Sequence, residues 1–401
     1  MEGLGVLQQA GVGLVEALPR CHQCGLATGC ISPKMPWTGL GRRQILVVAE
    51  APGSEEDRQG VQLIGPAGQE LRRLLGAVGL DLDRDCWKTN AVICRPSTGS
   101  RNETPTALQI ESCRPNLLQA IKELQPRVVL LLGASAIQSL IGLDWPDPGP
   151  VSRWVGSAIP HARWGAWVCP LYHPSYLMRV RNDPELGATT QLWFLRHLQQ
   201  ALELCELPQP VIDPTTLELV DSQLSRVAEF CHTAAPPIAI DYETNMLKPD
   251  GADAEIVSCA LSDGRRTLAF PWVPQTIRPV GELLRSGKPL IAANLKFEER
   301  WTRDVFGHGV RNWCWDTMQA AHVLDQRRGI TGVKFQAYIE FGVPPYDLHI
   351  EPYLTSSGPR LPNRIWNLEP RELLRYNALD ALIEWHLAQR QMQRLGCKKA
   401  Y

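Results

Sequence analysis

Four acidic side chains in three short stretches of the C-terminal half have the types and spacing of a divalent-cation site. Asp241 and Glu243 lie two apart in the apolar run "PIAIDYET", which reads as a strand, so both carboxylates point to one face. Tyr376 and Asp380 lie four apart in "RELLRYNALDALIEWHLAQR", whose periodicity is helical, so they too share a face. Glu298 stands between them in "ANLKFEE". Acids gathered at one place repel one another and favour protonation unless a cation holds them. Hard ions such as Mg²⁺ and Mn²⁺ select carboxylate oxygens. Two such ions about 3.5–4 Å apart activate a water on one side of a phosphodiester and stabilise the leaving oxygen on the other. The expected chemistry is metal-dependent nuclease cleavage.

A second constellation lies in the N-terminal half. Cys21 and Cys24 form a C-x-x-C, Cys94 follows an apolar strand, and Cys113 falls in a helical stretch. Two local and two distant thiolates can enclose either Zn²⁺ or an iron–sulfur cluster, and spacing alone leaves both open.

Composition bounds the rest. A net charge of −1 gives no global basic field, so any nucleic acid must be held by local patches or grooves. Thirteen Trp offer base-stacking platforms beside their packing role. No run of about 18 apolar residues is present, so no transmembrane helix and no membrane partner are expected. "MEGLGVLQQAGVGLVEALPR" lacks the basic start of a signal peptide. The expected location is the cytoplasm, bacterial or phage-infected, with the 12 Cys as thiols or metal ligands rather than disulfides.

The 401 residues suffice for two to three domains. "QILVVAE", "CWKTNAVICRP", "PRVVLLLG" and "AWVCPLYHPS" read as strands separated by helical stretches such as "GQELRRLLGAVG" and "ALQIESCRPNLLQAIKEL". That alternation predicts a parallel α/β sheet with a site at the strands' C-terminal ends. A Pro-rich linker is expected at 206–214, between domains at 1–205 and 215–401. Beyond it, "TTLELVDSQLSRVAEFC" reads as helical, and "PIAIDYET", "AEIVSCALSD", "RRTLAFPW" and "KPLIAANL" as strands.

The C-terminal contexts resemble the DEDD 3′→5′ exonucleases of the kind fused to family A DNA polymerases, over roughly residues 212–395. The motifs are "DYE", "NLKFE" from Asn294 to Glu298, and "YNALD", with Asp316 of "WDTMQAAHVLD" in a supporting position. Glu298 departs from the pattern, which has Asp. The resemblance implies a ribonuclease H-like (DnaQ-like) fold. Asp241 would bridge two Mg²⁺ or Mn²⁺, Glu243 and Asp380 would hold the first, Glu298 would serve the second, and Tyr376 would orient the water.

The N-terminal stretches "VAEAPGSEEDRQGVQLIGPAGQELRRLL", "TNAVICRP" and "LYHPSYLMR" resemble the family 4 uracil-DNA glycosylases, over roughly residues 15–203. By that resemblance Cys21, Cys24, Cys94 and Cys113 would bind a [4Fe–4S] cluster. Asn90 would read the edge of a flipped uracil, His173 would stabilise the departing base, and Glu50 would position water. Gly53, Gly65 and Gly68 would let backbone approach the base, and Arg179 and Arg181 would meet phosphates. Cys30, Cys86 and Cys169 are left as structural thiols. Two residues depart from the family: Ala49 stands at a Gly, and Leu63 at the Phe that stacks on uracil.

Together the halves resemble the N-terminal portion of certain phage family A DNA polymerases. The expectation is a DNA enzyme joining a proofreading-type exonuclease to a glycosylase-like domain, working with a separately encoded DNA polymerase. The rival expectation makes the first half a non-catalytic module that grips DNA or docks the polymerase.

Overall fold

The computed structural model describes residues 18–397. The extreme ends of the expected 1–205 and 215–401 domains therefore lie outside the described residues. The described chain divides into two compact units, residues 18–210 and, apart from 339–342, residues 211–397.

The N-terminal unit is built on five strands: β1 (Ile45–Ala49), β2 (Cys86–Asn90), β3 (Val128–Leu132), β4 (Ile159–His161) and β5 (Ala166–Leu171), in the order β2-β1-β3-β5-β4. Every residue of β1, β3 and β5 is buried, because helices cover both faces of a parallel sheet. Its main helices are α1 (Cys21–Cys24), α2 (Ser54–Gln59), α3 (Pro66–Gly76), α4 (Ala107–Leu124), α5 (Ala134–Leu140), α6 (Pro174–Val180) and α7 (Gly187–Glu203). Parallel register sets Ala49 beside Asn90 and Leu132 beside Leu171, so four strands end at one edge.

Two expectations are corrected here. The sheet is not wholly parallel, because β4 pairs antiparallel with β5 at its edge. Three residues with Pro160 at the centre carry too little alternation to read as a strand. The strand expected through "CWKTNAVICRP" stops at Asn90, and residues 91–94 bend away from it.

The C-terminal unit has six strands: β6 (Leu217–Leu219), β7 (Ile238–Thr244), β8 (Ile256–Ser262), β9 (Thr267–Pro271), β10 (Leu290–Ala292) and β11 (Trp313–Asp316), in the order β11-β10-β7-β8-β9-β6. Its main helices are α8 (Ser225–Thr233), α9 (Pro274–Ser286), α10 (Lys296–Phe306), α11 (Thr317–Leu324), α12 (Val333–Phe341) and α13 (Pro370–Arg394). The helix expected across "TTLELVDSQLSRVAEFC" is another correction. Residues 217–219 form a strand parallel to β9, and the helix starts only at Ser225. Pairing with β9 outweighs the weak local preference of "LEL".

The two faces of this sheet are packed differently. Ile238, Ile240 and Tyr242 of β7 join Val227, Phe230, Val280 and Trp301 in a core of large side chains. On the opposite face Ala239, Ala260 and Ala269 meet Ala378, Ala381 and Ala388 of α13. Small residues on both sides let the helix lie close to the sheet, which brings Asp380 down beside Asp241 and Glu243. Ala381→Leu should overpack this seam at a cost of about 1–3 kcal/mol. Urea denaturation should record that loss.

Candidate functional site

The C-terminal acids converge as the strand and helix periods require. Asp241, Glu243 and Asp380 each offer an oxygen within 4.8 Å of the others, the one such group of ligating side chains among the described residues. Asn377, on the same face of α13, donates to Asp241 Oδ2 (2.5 Å), and Ser258 Oγ of β8 donates to Asn377 Oδ1 (2.9 Å). Lys334 of α12 donates to Tyr376 Oη at 3.0 Å and also pairs with both oxygens of Asp380. The Tyr346 hydroxyl donates to Asp380 as well. Sequence reasoning missed Lys334 and Tyr346, which come from a segment without a motif. Asn377 and Glu384 were visible as helical neighbours of Asp380 at i−3 and i+4.

Glu298 is buried in the first turn of α10, outside the triad, with Oε2 lacking a hydrogen-bond partner. The turn before it is held firmly. Asn294 takes a left-handed φ of 57°, and Asp316 accepts from the backbone N–H groups of Asn294 and Leu295, both at 3.1 Å. Asp316 also caps α11 through Met318 and Gln319.

Burial, then the Asp380 charge, raises Asp241 to about 7. Burial, then Asp241, pushes Glu243 and Glu298 well above the carboxylate range. Lys334 opposes this: burial disfavours its charge, yet Asp380 holds its pKa above the ordinary value. Acids so placed ionise together only with a close cation, so the donor set fits divalent ions. Beside Glu243 opens a cavity of about 440 Å³ whose walls include Tyr242, Met246, Leu247, Phe297 and Asn363. Apolar and amide groups next to an acidic cluster that could hold metal give this cavity the chemistry to take a nucleotide-like guest.

In the N-terminal unit, Glu50 and His173 lie just beyond the aligned ends of β1 and β5 and face a cavity of about 490 Å³. Gly53, Leu63, Gly65, Ser175 and Arg179 share its walls. Ser135 Oγ donates to Glu50 Oε2 at 2.8 Å. The Ser175 backbone N–H donates to His173 Nδ1 at 3.3 Å, which leaves the neutral ring's proton on Nε2. Burial, then the Arg179 charge, pushes His173 down to about 4, so it is a neutral donor at pH 7.

Three expected residues sit apart from this cavity wall. Asn90 is buried at the end of β2, its amide donating to Gln62 Oε1 while its own Oδ1 has no partner. Gly68 acts from behind, since a Cβ there would lie 2.1 Å from the Leu63 carbonyl oxygen. Arg181 pairs with Glu70 at 2.6 Å, so its guanidinium is already engaged. Glu56, not singled out from sequence, binds both loops of the cavity. Its Oε1 accepts from Ile64 N (3.0 Å) and Gly65 N (2.7 Å), and Oε2 from Gly53 N (3.1 Å).

Cys21, Cys24, Cys94 and Cys113 do come together, around one small apolar cavity. Lys34 N–H donates to Cys94 Sγ (3.2 Å), and Ile93 N–H and Asn116 Nδ2 donate to Cys113 Sγ (both 3.4 Å). These N–H donors favour the thiolate, but burial outweighs them and pushes Cys94 up to about 12 and Cys113 above the ordinary thiol value. No three of these sulfurs fall within 4.8 Å of one another. Ligands around a single Zn²⁺ would be separated by only about 3.8 Å. The arrangement fits a larger guest than one ion.

The neutral imidazole sets a pH dependence. Between its ordinary value near 6.5 and about 4, the unfolded chain binds a proton that folded His173 refuses, so stability falls as pH drops through that window. Urea midpoints at pH 7 and pH 5 should show His173→Gln recovering up to about 2 kcal/mol of the loss at pH 5.

Comparison with known proteins covers both halves. A model of the uracil DNA glycosylase superfamily matches residues 38–203, and a 3′-5′ exonuclease model matches residues 220–395. The chain is 30% identical over 201 residues to the type-4 uracil-DNA glycosylase of Archaeoglobus fulgidus, covering 50% of this chain and 95% of that protein. It is 24% identical over 356 residues to the DNA polymerase of Bacillus phage SP01, covering 79% of this chain and 36% of the polymerase. Among solved structures, Escherichia coli RNase D is 16% identical with a TM-score of 0.35, over 45% of each chain. The chain thus belongs to the uracil DNA glycosylase superfamily through its N-terminal half and carries a 3′-5′ exonuclease domain of the family A DNA polymerase type in its C-terminal half.

Proposed function

We propose that this protein is a bifunctional DNA enzyme, a proofreading-type 3′→5′ exonuclease joined to a uracil-excising domain. The observation that carries the reading is the convergence of Asp241, Glu243 and Asp380 within 4.8 Å beside a nucleotide-sized cavity. When bound, divalent ions there would supply a nucleophilic water and charge stabilisation for the leaving oxygen. Asp241 and Glu243 would hold them from the strand, and Asp380 from the helix. Tyr376, kept protonated by burial and by Asp380, would direct the water through its hydroxyl. Lys334, next to it, would balance the phosphate charge.

In the N-terminal cavity, His173 Nε2–H would donate to the oxygen of a departing uracil as negative charge develops there. Glu50, oriented by Ser135, would position water and favour a cationic sugar. Asn90 would meet the base edge with its unpaired Oδ1 after the Gln62 contact shifts. The four thiols would hold a [4Fe–4S] cluster that ties α1 to α4. Similarity over both halves to a phage DNA polymerase supports a role beside a polymerase, either in the same polypeptide or in a separate one.

Leu63 favours one other reading. It presents no aromatic face to a flipped base, which costs on the order of 1–3 kcal/mol of stacking. In that reading the N-terminal half grips DNA or docks the polymerase without chemistry.

The deciding assay uses 5′-labelled single-stranded DNA with one uracil, incubated in EDTA and then treated with alkali. EDTA silences the exonuclease, and the glycosylase reaction needs no added metal. A single break at uracil, lost in His173→Ala, is expected. Intact DNA, with 3′ digestion on adding Mg²⁺, would leave the exonuclease with a non-catalytic partner domain. Anaerobically purified protein should be brown, absorbing near 400 nm, and Cys113→Ser should bleach it; a colourless, Zn²⁺-loaded protein would overturn the cluster.

A further inference from the structure

We propose that Glu384 is an additional outer ligand of the exonuclease centre, holding through a water the second divalent ion that Asp241 and Glu298 serve. The inference rests on the two-ion reading above and adds a residue that the recognised motifs do not contain.

Glu384 stands one helical turn after Asp380 on α13, about 6 Å further along the axis on the same face. Asn377 on that face is hydrogen-bonded to Asp241. The face of α13 that carries Asp380 therefore also carries Glu384 over β7. Glu384 is 2% exposed, and its Oε2 has no hydrogen-bond partner. Glu298 is 3% exposed, and its Oε2 is equally without a partner. A buried carboxylate oxygen left unpaired costs about 1–3 kcal/mol, so two of them beside one acidic centre call for a shared guest.

Their neighbours place them together. After burial, Asp241 is the acid that raises both Glu298 and Glu384 most; Glu384 is raised next by Glu298 and Asp380 and opposed by Lys334, and Glu298 is raised next by Asp316. Asp241 thus lies between two sets of acids. Glu243 and Asp380 form the tight triad with it on one side. Glu298 and Glu384 come from α10 and α13 outside that triad, and among the described residues no three acids that include either of them close to 4.8 Å, so a water would stand between them and the ion. The second set has carboxylates on longer side chains, and Glu384 adds oxygens to a site whose motif position already departs from Asp.

The test is a Mn²⁺ titration of the full chain by calorimetry, in the presence of thymidine 5′-monophosphate, whose phosphate supplies oxygens like those of substrate. The wild type should bind two Mn²⁺. Glu384→Gln should keep one with unchanged affinity and bind the other at least tenfold more weakly. In EDTA, Glu384→Gln should melt no lower than the wild type, because the amide removes an acid that burial disfavours, and Mn²⁺ should raise its melting temperature less. Two Mn²⁺ bound by Glu384→Gln with wild-type affinities would overturn the proposal and leave Glu384 a buried neutral acid. Should Glu384→Gln fail to fold, Glu384→Asp decides: weaker second-site binding supports the ligand role, and unchanged binding overturns it. A wild-type protein that binds fewer than two Mn²⁺, or an Asp241→Asn variant that still binds two, would instead sink the two-ion reading itself.

Discussion

Mutual repulsion among buried carboxylates is the constraint around which the C-terminal unit is organised. Asp241, Glu243, Glu298 and Glu384 are all pushed upward first by burial and then by a neighbouring acid, Asp380 for Asp241 and Asp241 for the other three. A fold tolerates such a cluster only if something else fixes its members in place. Here the large-residue core behind β7 and the alanine seam in front of it perform that task. The sheet cannot relax away from the helix without opening both. The charge conflict is thereby stored at one place, where a divalent cation would relieve it.

The N-terminal unit solves a different problem, holding polar groups in readiness around its cavity. Its catalytic candidates sit where parallel strands end in register, and its loops are bound by the single carboxylate of Glu56. Burial keeps His173 neutral, so its ring is a donor rather than a second charge. Under the proposed function the two halves would stabilise negative charge by opposite means, one with cations and one with a preorganised dipole.

Much of this was legible in the sequence, for identifiable reasons. Asp241 with Glu243, and Tyr376 with Asp380, follow the strand and helix periods, so local spacing predicts their shared faces. The cysteines converge because α1 and α4 meet, which spacing alone does not reveal. Lys334, Tyr346, Gln62 and Glu56 were illegible because their partners lie far along the chain or in loops that show no periodicity. Short elements failed for a related reason. Residues 159–161 and 217–219 are strands only by virtue of the neighbours they pair with.

Leu63 holds a further consequence. Its backbone is left-handed at φ 53°, and its carbonyl packs against the bare face of Gly68. Glu56 anchors the next two amides. The main chain at this point is therefore set by its surroundings rather than by the side chain it bears. Whatever residue occupies position 63 is presented to the cavity from the same hinge at the same angle. The facet shown to the cavity is in that sense interchangeable, a replaceable piece on a rigid mount, and a different side chain at position 63 would change what the cavity admits without rebuilding the cavity.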